Sequence, residues 1–113
     1  MKQLLILIPN SVDVQKLDLG WPDFLSAAEK MPGLIKESIT TISHSLSGIS
    51  PILRCYSFTF PDRKTLEEGL TSPSGQAAGS LIHELTDGKG IILTADYLED
   101  EISNINSFRS GTK

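Results

Sequence analysis

Apolar and polar positions alternate with a period of two over several short stretches of this chain, and with a period near 3.6 between them. The clearest strand is residues 52–60, Ile-Leu-Arg-Cys-Tyr-Ser-Phe-Thr-Phe, which holds no Gly or Pro and is stopped by Pro61. Alternation puts Ile52, Arg54, Tyr56, Phe58 and Phe60 on one face and Leu53, Cys55, Ser57 and Thr59 on the other. A heavy face opposite a small, mixed one predicts a central strand with helices on one side. Leu4 to Ile8 is apolar on both alternation faces and predicts a strand buried on both sides. Leu34 to His44 interleaves Ile and Thr with polar residues, which predicts a long, half-exposed strand near an edge. It leads through a hairpin connection, Ser45 to Pro51, into the central strand. Gly90 to Ala95 reads as the last strand.

The helical stretches carry recognisable starts and stops. Ser11 or Asp13 can cap a helix beginning near Val12, since either side chain accepts from free N–H groups at a helix start. Gly20-Trp21-Pro22 predicts a break in that helix, with Pro22 in the first turn after it. Phe24, Leu25, Ala28 and Met31 then form an apolar stripe, and Pro32-Gly33 ends it. Asp62 caps a short helix carrying Leu66 and Leu70 to about Thr71. Ser72-Pro73 starts another, in which Ala78, Leu81, Ile82 and Leu85 fall on one face before Asp87-Gly88. The order is that of an α+β, ferredoxin-like βαββαβ domain, a four-stranded antiparallel sheet with the first and third strands central and helices on one face. The helices suffice for one layer only. The doubly apolar first strand therefore predicts a second sheet over the open face, most simply from a second copy, as a homodimer.

At 113 residues the chain is one domain, with a core over about 1–98 and an acidic tail over 99–113. Hydrophobic residues make up 39% and charged ones 21%, an ordinary globular balance. A net charge of -4 without a Lys/Arg cluster leaves nothing to neutralise a phosphate backbone or an anionic membrane, so neither nucleic acid nor membrane is an expected partner. Cys55 is the single cysteine, which excludes an intramolecular disulfide and fits a reducing, cytoplasmic setting. The apolar run at the start is too short to span a membrane.

Three elements together resemble the EthD-like family of the dimeric α/β-barrel superfamily. They are Pro32-Gly33-Leu34, the strand ending Phe58-Thr-Phe60, and above all Leu70-Thr-Ser-Pro-Ser-Gly-Gln-Ala-Ala-Gly79, and the resemblance spans most of residues 1–98. It implies two ferredoxin-like subunits stacked as a barrel, with a small-molecule pocket between sheet and helices. Some members perform or assist oxidative breakdown of organic compounds without a bound cofactor. Many carry a His in the first helix about eight residues before Pro-Gly-Leu; the count lands near Phe24, and no His stands there.

No catalytic motif stands out from the residues themselves. His44, at the end of the second strand, is a candidate proton donor or acceptor, the role for which imidazole chemistry is suited, or a strand-end surface residue. Tyr56 and Arg54 share the heavy face of the central strand, where a phenol or guanidinium needs a partner or a polar ligand. Tyr56 is the second catalytic candidate, with Arg54, Trp21 and Phe58 as candidate ligand-binding residues, although a lone Trp at a helix break is more often a packed plug than a pocket wall. His44 and His83 without a third ligand at suitable spacing make no metal site, and no nucleotide fingerprint is present, so no metal or organic cofactor is expected. The chain is thus read as an EthD-like small-molecule-binding protein or cofactor-independent oxidoreductase of organic compounds. The alternative is a non-catalytic ligand-sensing or structural homodimer.

Overall fold

A computed structural model describes residues 1–98; the acidic tail expected from residue 99 lies outside the described residues. The elements follow as β1 (Lys2–Pro9), α1 (Val14–Ala28), β2 (Lys36–Thr41), β3 (Ile52–Phe60), α2 (Arg63–Thr71), α3 (Pro73–Leu85) and β4 (Ile91–Asp96). The strands form one antiparallel sheet in the order β2-β3-β1-β4, with β1 and β3 in the middle. This is the predicted α+β, ferredoxin-like arrangement.

Register explains which residues the helices cover. Leu4 pairs with Phe58 and Thr94, and Ile6 with Tyr56 and Ile92. Leu4, Ile6, Ile8, Tyr56, Phe58 and Phe60 are buried together with Leu17, Trp21, Phe24 and Ala28 of α1 and Ala78, Ile82 and Leu85 of α3. The opposite face presents Leu5 and Leu7 beside Leu93 and Ile91, which are 45% and 43% exposed. Toward β2 that face turns polar: the Ser38 and Ser57 hydroxyls bond to each other, and Gln3 Nε2 donates to Thr59 Oγ1 at 3.2 Å.

Two expectations need correction. The first helix is continuous: Pro22 lies inside α1, whose N-cap is Asp13, with Oδ1 accepting from Lys16 N at 3.2 Å. Pro22 denies a donor to one carbonyl, but Leu17, Trp21, Phe24 and Ala28 lie on one buried stripe running through the proline, and that packing holds both halves on one axis. The second strand is shorter than the predicted Leu34 to His44. Gly33 sits at φ +83°, and Leu34 N donates back to Met31 O at 3.4 Å, so the chain is still turning there. Ile35 N to Thr59 O (2.9 Å) and Ile42 N to Leu53 O (3.0 Å) mark the outer limits of its pairing.

The break between α2 and α3 is made by one residue. Ser72 N donates to Glu68 O, Ser72 Oγ donates to Gly69 O at 2.6 Å, and the same Oγ accepts from Gly75 N at 3.1 Å. Ser72 thus closes one helix and caps the next, with Pro73 in the first turn where it lacks no needed donor. The reversal presses α3 onto the end of α2. A Cβ at Gly75 would overlap the Gly69 carbonyl oxygen and lie 2.6 Å from that of Leu70, which is why glycine stands there.

Candidate functional site

Between the sheet and the helices lies an apolar void of about 60 Å³. The sheet contributes Leu4 and Ile6 of β1, Phe58 of β3 and Ile92 of β4; Phe24 and Ala28 of α1, Leu70 of α2 and Ile82 of α3 close it from the helix side. Met31 completes the wall with a side chain that adapts readily to what it meets. Gly75, Ala78 and Gly79 also border the void, and a Cβ at Gly79 would meet nothing within 4 Å. Small residues at i, i+3 and i+4 of α3, followed by Ile82 at i+7, leave volume on the helix face that looks toward the sheet. No titratable side chain borders this space.

Next to it stands an aromatic cluster. Trp21 stacks on Tyr56 with ring centroids 3.8 Å apart and 29° between planes, and contacts Phe24 at 4.6 Å. Phe24 meets Phe58 edge-on at 6.1 Å. The rings therefore run in series from Tyr56 through Trp21 and Phe24 to Phe58, and the last two border the void. Trp21 is buried, and its Nε1 has no hydrogen-bond partner among the described residues.

Arg54 closes the far end of the cluster. Its Nη1 donates to Asp18 Oδ1 at 2.6 Å and its Nη2 to Oδ2 at 3.5 Å, the two-pronged geometry that suits guanidinium and carboxylate. Hydrogen bonding to Arg54 lowers the pKa of the Asp18 carboxyl, and the same bond raises that of the guanidinium. Burial raises the pKa of the Tyr56 phenol, and the nearby Arg54 guanidinium offsets part of that rise. The phenol is therefore protonated at neutral pH, a hydrogen-bond donor and not a resident base.

The structure brings Trp21, Tyr56 and Arg54 into one cluster, and Phe58 onto the wall of the void. His44 is elsewhere. It is exposed on the connection between β2 and β3, where it lines an open depression of about 300 Å³ with Asn10, Ile42, Ile49 and Leu53. His83 is exposed on α3, and Cys55 lies on the uncovered face of the sheet, its thiol pKa raised by burial. Among the described residues no three His, Cys, Asp or Glu side chains gather into a metal-binding group, and no helix is long and apolar enough to cross a membrane.

Reading the sequence alone missed Leu4, Ile6, Leu70, Ile82 and Gly79 as lining residues. As apolar residues on periodic faces they are indistinguishable from plain core. The one available signal was the pair of glycines, Gly75 and Gly79, on the inward face of a helix.

No family model matches the chain, and no curated protein matches it in sequence. Solved structures do resemble it. An ethyl tert-butyl ether D (EthD) family protein from Bacillus halodurans superposes with a TM-score of 0.79 at 20% identity, over 87% of this chain and 99% of that one. A dimeric ferredoxin-like protein of unknown function from Jannaschia gives 0.62 at 15% identity, over 85% and 97%. SnoaB, a cofactor-independent oxygenase from Streptomyces nogalater, gives 0.64 at 6% identity, over 89% and 95%. At these identities the likeness is one of fold, and the chain has the ferredoxin-like fold shared by an EthD family protein and its structural neighbours.

Proposed function

We propose that this protein is an EthD-like small-molecule-binding protein that takes an apolar organic ligand between its sheet and its helices, and that it works as a homodimer joined through the open sheet face. The observation that carries the binding reading is the apolar void bordered by Leu4, Ile6, Phe24, Phe58, Leu70 and Ile82, with Gly79 facing open space. An apolar molecule entering it exchanges water for side-chain contact at about 25 cal/mol per Å² of apolar area. About 60 Å³ is small beside the roughly 150 Å³ of an engineered cavity that admits benzene, so a ring enters by displacing the Met31 side chain.

The lining supplies shape and exclusion of water, not proton transfer. Binding without turnover, as in a ligand-sensing dimer, is therefore the form the site geometry supports best. A second reading, cofactor-independent oxidation of the bound compound, draws on the likeness to SnoaB and on Tyr56, whose strand neighbour Ile6 borders the void. In that reading a reactive, electron-rich ligand meets oxygen directly, the protein orients it, and Tyr56, the candidate nearer the void, handles one proton while His44, on a separate depression, does not take part. Oxygen uptake by chelator-treated protein with phenols and quinols, repeated with Tyr56→Phe and His44→Ala, separates the two readings.

Calorimetric titration with small alkylbenzenes tests the binding reading. The wild type binds saturably, and Gly79→Leu, which places a side chain on the wall of the void, weakens binding at least roughly tenfold while the circular dichroism stays unchanged. Equal binding by both proteins, or none by either, contradicts the proposal.

A further inference from the structure

A second, larger depression of about 330 Å³ opens beside the apolar void, lined by Lys2, Arg63, Leu66, Glu67, Leu70 and Thr94. Leu70 belongs to both walls. The strands carry the same gradient: on the helix side of the β1–β4 pair the rows run from Ile6 and Ile92, through Leu4 and Thr94, to Lys2 and Asp96. Apolar space therefore passes into a polar mouth along the β1–β4 pair. We propose that the ligand is an amphiphile, an apolar body with one carboxylate-type anionic group, and that Lys2 and Arg63 hold the anion at this mouth.

Charge decides the sign of the group. The lining holds two cations, Lys2 and Arg63, and one carboxylate, Glu67. Lys2 pairs with Asp96, but Asp96 is outside the lining and its side chain is 84% exposed, whereas the Lys2 side chain is only 33% exposed. The ammonium is thus the inward partner. Arg63 spends its Nε on Glu67 at 3.0 Å, and with 79% of its side chain exposed its terminal nitrogens face solvent. Exposed pairs of this kind contribute little to stability, so a ligand carboxylate can replace Asp96 and Glu67 as partner at small cost. Thr94 adds a hydroxyl that can donate to the same group.

This inference rests on the binding proposed above, and its test separates the two. Calorimetry compares 4-butylbenzoate with its methyl ester and with butylbenzene, in wild type, Arg63→Gln, Lys2→Gln and Asp96→Asn. The benzoate binds roughly tenfold tighter than the ester, each cation variant removes most of that advantage while leaving the ester and butylbenzene unchanged, and Asp96→Asn, by freeing Lys2, tightens the benzoate alone. Equal affinity for benzoate and ester, or an advantage that survives both cation variants, overturns the anion site and leaves the apolar site standing. Binding of none of the three compounds overturns both. All three positions are at least partly exposed, and a urea unfolding curve for each variant confirms that it folds.

Discussion

Trp21 is packed as a large apolar body with an indole N–H that finds no acceptor among the described residues. Leaving a buried donor unpaired costs about 1–3 kcal/mol, whereas the stacking on Tyr56 and Phe24 favours a ring at this position. Trp21→Phe keeps a ring and removes the orphan donor, so it is expected within about 1 kcal/mol of wild type. Trp21→Ala leaves a hole and is expected to cost about 3–5 kcal/mol in urea unfolding. Tyr56 gives a prediction in pH. Burial raises its phenol above the ordinary 10.0, so its contribution to stability is fully present below that value and is lost as pH rises through the folded pKa. Stability of the wild type should therefore fall on the alkaline side more steeply than that of Tyr56→Phe, measured as urea midpoints from neutrality to about pH 11. Asp18 works in the opposite sense. Its carboxyl is lowered below 3.8 by Arg54, so its contribution is present above that pH and lost below it.

Two glycines of α3 that look alike in sequence predict opposite outcomes. Gly75→Ala drives a Cβ into the carbonyl oxygens of Gly69 and Leu70, which are backbone and cannot swing aside, and should cost at least about 2 kcal/mol. Gly79→Ala meets nothing and removes the entropic penalty of a helical glycine, a gain of about 0.5–1 kcal/mol. Thermal unfolding of the two variants checks the pair. The same helix shows what sequence reading reaches. Element order, the caps Asp62 and Ser72, the choice of Ser11 or Asp13 for the first cap, and the heavy face of β3 were legible because each depends on residues a few positions apart. Continuity of α1 through Pro22 was not, because it depends on a buried stripe meeting a sheet from distant sequence. The lining of the void was hidden for a related reason: six elements and Met31 contribute to it, and none of its residues departs from core composition.

At the scale of the molecule, one face of the sheet is covered by helices and the other presents Leu5, Leu7, Ile91 and Leu93. An apolar face of this kind is the surface the proposed homodimer would bury. Leu5→Lys with Leu93→Lys places charge at paired positions of that face and should convert a dimer to a folded monomer in sedimentation velocity; a monomeric wild type at micromolar concentration would defeat the dimer. The central claim, however, is the ligand site, and methyl-resolved NMR of the protein titrated with butylbenzene reads it most directly. The account predicts saturable shifts of the Leu4, Ile6, Met31, Leu70, Ile82 and Ile92 methyls, with ligand contacts to the same groups. Shifts confined to Leu46 and Ile49 of the exposed hairpin connection, or to Leu5 and Leu93 of the open face, would contradict it.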